Sequence, residues 1–252
     1  VMSSSFTMRG DISVINKYER TKLMLQANID LVLELPFLAC VQSSDYFTAN
    51  AILTLRDFGV TDLVFGAELA CKESLDKIHA IKKASFFDDI IKEQLSKGHS
   101  YRAAAFGAFQ ALTNDKTLIE QVTKPNNMLA TGYIDAIHKF APHINYHPIQ
   151  RIKADYYEQS LSDQTIASAD AIRSALRNKE DIASYIPSIT ALSYFIDETK
   201  AKESLFSFLQ ALFIRESLDS FEAILGVSEG IHRRINTMLQ KATSYDELVD
   251  LT

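Results

Sequence analysis

The sequence contains few of the residues that break a chain or cross-link it. Its 252 residues include eight Gly, five Pro and two Cys. Gly and Pro together fall well below the roughly 12% of average usage, which favours long helices and argues against an all-β sandwich. Cys40 and Cys71 form neither a disulfide framework nor a Cys-x-x-Cys metal pair. We therefore expect a reducing, cytoplasmic location.

The sequence also lacks a membrane segment and an excess of basic charge. No apolar run approaches the ~20 residues that span a bilayer, and no charged-then-apolar leader opens the chain, so no membrane partner is expected. The net charge of −6 argues against a protein that coats nucleic acid, although it leaves a local basic groove open. With 47% hydrophobic and 23% charged residues, the chain is predicted to be globular.

Apolar periodicity predicts an alternation of helices and strands in the first part of the chain. Helices at 11–28 and 43–58 alternate with short apolar strands at 30–35 and 61–65, a pattern typical of a parallel sheet covered on both faces. The later segments are predicted to be helical over 72–97, 100–113, 126–141 and from about 180 onward, with an extended segment at 144–152. We expect an α/β domain over residues 1–178 and an all-helical C-terminal domain over 179–252.

The ends of the predicted strands are candidate ligand sites, because ligands of open α/β sheets bind beyond the carboxyl ends of strands. Gly66 directly follows the strand at 61–65, and a glycine there lets a ligand approach the backbone closely. An ordinary turn residue is the alternative interpretation.

The segment Ile166–Arg173 predicts a helix that starts at Ser168 or just after it. The Ser168 hydroxyl and the free N–H groups of the helix N-terminus can bind a phosphate, and Arg173 can reach the same anion. The alternative is a capped helix in which Arg173 pairs with Asp170.

Other basic and polar residues are weaker candidates for an anion site. Residues 136–154 contain no acidic side chain but include Arg151 and Lys153, while the histidines among them favour solvated side chains over a metal site. Lys17 and Arg20 can face a phosphate or form the polar face of an amphipathic helix. In the segment after Pro125, Asn126 and Asn127 are helix caps first and ligand contacts second.

Ten segments in order resemble the bacterial tRNA(Met) cytidine acetate ligases, a family of nucleotidyltransferase-like proteins. They are MSSSFTMRG (2–10), Lys17 with Arg20, DLVLELPF (30–37), QSSDYF (42–47), VFGAE (64–68), GHSYR (98–102), KPNNMLATGYIDAI (124–137), QRIKADYYE (150–158), ASADAIR (167–173) and VSEGIHRRI (227–235).

The resemblance implies a parallel-sheet, nucleotidyltransferase-like (HUP/Rossmann-like) fold followed by a helical domain. It implies an ATP-dependent ligase that forms N4-acetylcytidine at the wobble position of elongator tRNA(Met) from acetate, through acetyl-adenylate. ATP and tRNA would be bound, and Mg²⁺ is expected for ATP chemistry, although no carboxylate in the sequence is identifiable as its ligand.

By the same resemblance, ATP contacts fall on Gly66, Asn126 and Arg151, with Ser168 and Arg173 at the phosphates. Lys17, Arg20, Asn127 and Lys153 are possible supporting residues, and no metal ligand is assigned.

The chain departs from the family pattern at several places. It begins downstream of the family's His-x-Gly-His turn, so the catalytic residues are not assigned, and it stops before the basic C-terminal segment. Asp170 stands where the family usually has Thr, and a carboxylate there would repel phosphates. We therefore expect the 252-residue chain alone to be inactive in adenylate formation.

Two other functions use the same features. One is a nucleotidyltransferase that makes a nucleotide cofactor or an activated alcohol, and the other is a non-catalytic nucleotide- or RNA-binding homologue. A requirement for acetate separates the ligase from the first alternative.

Overall fold

A computed structural model describes residues 1–8, 10–151, 166–186, 196–224, 226–227 and 230–252. In order along the chain, its α-helices and β-strands are α1 (Lys17–Gln26), α2 (Phe37–Cys40), α3 (Ser44–Asp57), β1 (Asp62–Ala67), α4 (Lys72–Lys82), α5 (Phe87–Ser96), α6 (Tyr101–Leu112), α7 (Lys116–Gln121), α8 (Pro125–Phe140), β2 (Asn145–Gln150), α9 (Ala169–Arg177), α10 (Glu198–Arg215), α11 (Ile231–Leu239) and α12 (Tyr245–Leu251).

The chain forms two compact units. The first consists of Val1–Ser3 and Val32–Ile189, and the second of Ser4–Leu31 and Thr190–Thr252. The domain boundary expected at residue 178 stays a prediction.

The first unit contains a parallel pair of strands packed against helices. β1 and β2 pair in parallel, with Phe65 opposite Pro148 and Gly66 opposite Ile149. This pairing and the surrounding helices confirm the expected α/β class.

Side chains alternate between the two faces of this sheet. Phe65 and Tyr146 are buried on one face, where their rings stack at 6.4 Å. On the other face, Val64 and Ile149 are each 56% exposed. The described residues therefore bury only one face of this sheet. The apolar character of the strands had predicted that both faces would be buried.

Three other predicted elements differ from the structure. The segment 30–35 makes a single parallel bridge, in which Met2 pairs with Glu34, instead of a full strand. Helix α1 begins only at Lys17, because Asn16 caps it by accepting from the Glu19 N–H at 3.0 Å. The predicted helix at 72–97 is divided into α4 and α5.

The second unit has a smaller core made by its last helices. Phe206 of α10 packs with Leu239, Ala242 and Leu248. This agrees with the expectation of helices in the C-terminal part of the chain. Among the described residues, no helix combines the length and apolar character that crossing a bilayer requires.

The central contact of the first unit is the packing of α3 against α8. A Cβ placed on Gly132 of α8 would lie 2.7 Å from Oγ1, 3.0 Å from Cγ2 and 3.2 Å from Cβ of Thr48 on α3. Because three atoms of the same β-branched side chain are that close, a rotation of the Thr48 side chain does not make room for a Cβ at position 132. Glycine at this position lets the two helices approach each other.

We predict that Gly132→Ala lowers the free energy of unfolding by about 1–3 kcal/mol, because it overpacks the contact between α3 and α8. Chemical denaturation measures the change. Gly107→Ala in α6 is the matched control, since the nearest atom to its added Cβ is Gln94 Cδ at 3.9 Å. Alanine there has room and should stabilise the helix by up to about 1 kcal/mol. Equal effects of the two substitutions would contradict this account of the helix contact.

Candidate functional site

The carboxyl ends of β1 and β2 bring two of the predicted residues together. Gly66 and Arg151 lie on the exposed face of the sheet, and a Cβ on Gly66 would be 3.5 Å from Cγ of Arg151. The Arg151 N–H donates to the Ala67 carbonyl at 3.0 Å, so Arg151 continues the pairing of the strands. An exposed guanidinium therefore lies beside a backbone segment that has no side chain to obstruct a ligand.

Glu68 connects this strand end to the start of α8. One of its carboxylate oxygens accepts from the Asn126 backbone N–H at 3.3 Å and from Nδ2 of Asn126 at 2.7 Å. The other accepts from the Asn127 N–H at 2.8 Å. A carboxylate at this end satisfies N–H groups that have no partner within the helix and complements the positive end of the helix dipole. It also brings Asn126 to the same edge of the sheet as Gly66 and Arg151.

Asn127 is fully buried and uses its amide to join three segments. Its Oδ1 accepts from the Leu69 N–H at 2.9 Å, and its Nδ2 donates to the backbone oxygen of Gln121 at 2.9 Å and to its Oε1 at 3.2 Å. These contacts make Asn127 a positioning residue for the loop after β1 and for the end of α7. A contact between Asn127 and a ligand stays a prediction.

Gln150 holds the loop after β1 from the neighbouring strand. Its Nε2 donates to the Glu68 carbonyl at 3.0 Å, and its Oε1 accepts from the Ala70 N–H at 3.4 Å. The loop is thus tied to β2 by Gln150 and to α8 by Asn127 and by Glu68 itself.

Tyr146 fixes the start of α4 against the buried face of the sheet. Its hydroxyl donates to Asp76, and Nζ of Lys72 lies 3.2 Å from the centre of its ring. Burial and the bond to Asp76 raise the pKa of Tyr146, so its phenol stays protonated at physiological pH.

The segment after residue 165 forms the predicted capped helix. Ser168 is the N-cap of α9 and is buried, and its Oγ accepts from the Ala171 N–H at 3.0 Å. The start of the helix is therefore confirmed. Arg173 forms an ion pair with Asp170, which is the pairing that the alternative interpretation describes. Within the described part of the chain, no residue of α9 forms a hydrogen bond or an ion pair with Gly66, Asn126 or Arg151.

Lys17, Arg20 and Lys153 are the remaining candidates. Lys17 and Arg20 lie on α1 in the second unit, where Arg20 donates to the Ser4 carbonyl and Lys17 lies 5.5 Å from the centre of the Tyr18 ring. Lys153 lies outside the described residues.

Two of the three histidines within residues 136–154 have separate partners. His147 pairs with Asp62 at 2.8 Å, and this hydrogen bond lowers the pKa of Asp62. The His138 ring stacks on that of His79 at 4.4 Å. Across the described ranges, no three His, Cys, Asp or Glu side chains cluster so that they could hold a metal ion.

The sequence motifs assigned Glu68 no role beyond its place in the segment VFGAE (64–68). The only sequence signal for such a role is that Glu68 is an acidic residue two positions after Gly66, close to the end of a strand. The partner of that carboxylate lies 58 residues further along the chain, so spacing alone does not identify it.

A parallel pair of strands flanked by helices, with Gly66 and Arg151 at its carboxyl edge, is typical of a ligand-binding α/β protein. The chain belongs to the HIGH nucleotidyl transferase family, whose sequence model it matches over residues 1–252.

Curated relatives carry a more specific name. The chain is similar to the tRNA(Met) cytidine acetate ligases of Thermosipho africanus (34% identity over 99% of this chain and 61% of the relative), Listeria monocytogenes (35%; 100% and 66%) and Bacillus subtilis (33%; 100% and 63%). It thus spans less than two thirds of the length of these relatives.

Two solved structures are also similar to this chain. The crystal structure of Thermotoga maritima TmcAL has a TM-score of 0.85 and 28% identity, covering 99% of this chain and 62% of that protein. The same protein bound with alpha-thio ATP has a TM-score of 0.83 and 27% identity, covering 99% and 61%.

We predict that Glu68→Gln lowers the free energy of unfolding by about 1–3 kcal/mol, because a neutral amide has one acceptor oxygen for three donors at the start of α8. Urea denaturation measures this change. Glu120→Gln on the exposed side of α7 is the control and should change stability by less than about 0.5 kcal/mol. If Glu68→Gln changes stability no more than the control does, the carboxylate does not organise this helix terminus.

Proposed function

We propose that the protein containing this chain is an ATP-dependent ligase that acetylates cytidine N4 at the wobble position of elongator tRNA(Met). The observation that carries the proposal is the juxtaposition of Gly66, Arg151 and the Glu68-anchored Asn126 at the carboxyl edge of a parallel sheet. Relatives named tRNA(Met) cytidine acetate ligase, and a similar protein bound with alpha-thio ATP, support it.

The proposed reaction has two steps. An acetate oxygen attacks the α-phosphorus of ATP, forming acetyl-adenylate and releasing pyrophosphate. The N4 amine of cytidine then attacks the acetyl carbonyl carbon, so that N4-acetylcytidine forms, AMP leaves and the amine loses a proton. Positioning and neutralisation of phosphate charge supply most of the catalysis in such reactions.

The residues at the edge of the sheet are suited to positioning ATP. The Gly66 backbone admits close approach, the Asn126 side chain lies at the start of α8, and the Arg151 guanidinium can pair with phosphate oxygens. Ser168 and Arg173 are proposed to contact the phosphates from α9, where a phosphate would compete with Asp170 for Arg173. Lys17, Arg20 and Lys153 stay possible supporting residues.

The described residues do not fit a protein-held Mg²⁺ at this edge of the sheet. Both oxygens of Glu68 already accept hydrogen bonds from α8. A Mg²⁺ ion required by ATP would therefore enter with the phosphates, which are its usual ligands in such sites.

Acetate and elongator tRNA(Met) are the other proposed substrates, and the cytoplasm is the proposed location. Cys40 and Cys71 are not joined by a disulfide, which is compatible with a reducing compartment.

We predict that the full-length protein exchanges labelled pyrophosphate into ATP only when acetate is present, because acetyl-adenylate formation is reversible. Labelled ATP is measured with and without acetate and without tRNA. Exchange that requires an alcohol or a second nucleotide instead of acetate would favour a different nucleotidyltransferase. ATP binding with no exchange under any of these conditions would favour a non-catalytic homologue.

We predict that Gly66→Ala, Arg151→Ala and Arg173→Ala each weaken ATP binding about tenfold or more in calorimetric titrations. Gly66→Ala is the most informative variant. Its Cβ makes an ordinary 3.5 Å contact with Arg151 in the folded protein, so lost affinity reports obstruction of the ligand and not misfolding.

Arg56→Ala is the control for loss of one positive charge. Arg56 forms an exposed ion pair with Asp57 on α3, and its removal should leave ATP affinity within twofold. Unchanged affinity in both Arg151→Ala and Arg173→Ala would show that the phosphates bind elsewhere.

A further inference from the structure

Every backbone N–H in the first turn of α8 already has a partner. Pro125 has no N–H to donate. The N–H groups of Asn126 and Asn127 donate to Glu68 at 3.3 Å and 2.8 Å. The next N–H, that of Met128, donates to the carbonyl of the N-cap residue at 2.9 Å. Because a helix N-terminus binds a phosphate through such N–H groups, a phosphate at this terminus would have to displace one of these partners.

The two asparagines at the start of α8 differ in what their side-chain amides leave available. Asn127 is fully buried, and both ends of its amide have protein partners. Asn126 is half-buried, and its Nδ2 donates to Glu68 at 2.7 Å. Within the described residues, no group donates to Oδ1 of Asn126. Asn126 is therefore the asparagine whose side chain can contact a ligand.

The contact with Glu68 fixes the orientation of the Asn126 amide. A carboxylate only accepts hydrogen bonds, so the amide atom that contacts it must be the nitrogen. The reverse orientation would bring two acceptor oxygens together. Glu68 is itself held in place, because its two oxygens also accept from the backbone of α8. Asn126 therefore presents its oxygen, a hydrogen-bond acceptor, to a ligand.

The charge of Glu68 determines which chemical group suits Asn126. The second hydrogen of the Asn126 Nδ2 can donate, but an anion bound there would lie only about 5–6 Å from the carboxylate, two hydrogen-bond lengths away. Like charges at this separation repel each other. An uncharged O–H or N–H group meets no such repulsion and can donate to Oδ1. The cation available to phosphates at this edge is Arg151, which lies beside Gly66.

We propose that Oδ1 of Asn126 recognises an uncharged hydrogen-bond donor on the nucleoside half of ATP, either a ribose hydroxyl or the 6-amino group of adenine. Glu68 is the positioning residue that orients the Asn126 amide for this contact, and the phosphates lie toward Arg151. This inference rests on the proposed function, since it takes the ligand at this edge of the sheet to be ATP.

The test compares the affinity of the full-length protein for ATP with its affinity for three analogues that each lack one donor. They are 2′-deoxy-ATP, 3′-deoxy-ATP and purine riboside triphosphate, which lacks the 6-amino group. Calorimetric titrations without acetate and without RNA give each Kd. One of the analogues should bind the wild type about 5- to 20-fold more weakly than ATP, because Oδ1 of Asn126 then has no partner.

Asn126→Ala completes a double-mutant cycle with that analogue. The substitution removes the acceptor but keeps the backbone N–H groups that donate to Glu68, so the start of α8 stays capped. Asn126→Ala should bind ATP about 5- to 20-fold more weakly than the wild type does. Omitting the recognised donor should then raise Kd by less than twofold further.

Asn50→Ala is the matched control. Asn50 lies on α3, and its Nδ2 also donates to a protein oxygen, the Tyr46 carbonyl, at 2.8 Å. This variant should keep the ATP affinity of the wild type, and its discrimination between ATP and the analogue, within twofold.

Glu68→Gln tests the orientation of the amide separately from stability. Glutamine carries a donor as well as an acceptor, so the Asn126 amide can pair with it in either orientation. The Kd for the discriminating analogue divided by the Kd for ATP should fall to less than half of the wild-type ratio. A loss of stability that weakens both ligands alike does not change this ratio.

Three results would overturn the proposal. The first is that no analogue binds the wild type more weakly than ATP. The second is that the discriminating analogue loses as much affinity in Asn126→Ala as in the wild type. The third is that Glu68→Gln keeps the full wild-type ratio.

Pyrophosphate exchange by the wild type tells this proposal apart from the ligase proposal. Acetate-dependent exchange combined with equal analogue losses in the wild type and Asn126→Ala would retain the ligase and reject the role of Asn126. The expected cycle without acetate-dependent exchange would retain Asn126 as a nucleotide contact and reject the ligase. A wild type that does not bind ATP would reject both.

Discussion

The candidate site depends on the hydrogen bonds that the Glu68 carboxylate accepts at the start of α8. Residues 58 and 59 positions further along the chain donate to it, so a strand end and a helix start are fixed to each other. Without this acceptor, N–H groups of the first turn would be left without a protein partner. Asn127 extends the same network to Gln121, the last residue of α7.

Helix α9 shows how a helix terminus can be complete without a ligand. Ser168 caps its own helix, and Asp170 pairs with Arg173 one turn later. A phosphate at this terminus would have to displace the carboxylate from the guanidinium or bind beside it. The edge of the sheet is different, because the carboxylate there is already committed to the backbone of α8 while Arg151 lies exposed beside Gly66. This difference makes the strand ends the stronger part of the proposed ATP site.

Local signals in the sequence predicted several elements well. The helix expected at 43–58 is α3 at Ser44–Asp57, and Ser168 caps the helix that it was expected to begin. Both outcomes follow from capping preferences and apolar spacing, which act within a few residues. The segment 72–97 behaves differently. Its first part packs Leu75 and Ile78 into the core and its second part packs Phe87 and Ile91. These two parts form separate helices where one continuous helix was predicted.

Periodicity and short motifs were sufficient to predict the fold class, the family resemblance and the position of Gly66 close to the end of a strand, although β1 continues through Gly66 to Ala67. Which distant residues meet depends on the tertiary structure. It placed Arg151 beside Gly66 through parallel strand pairing, joined Glu68 to Asn126, and reduced the predicted strand at 30–35 to one bridge. Strand partners and hydrogen bonds to a distant helix terminus depend on contacts between residues far apart in the chain, which neither local propensity nor motif spacing encodes.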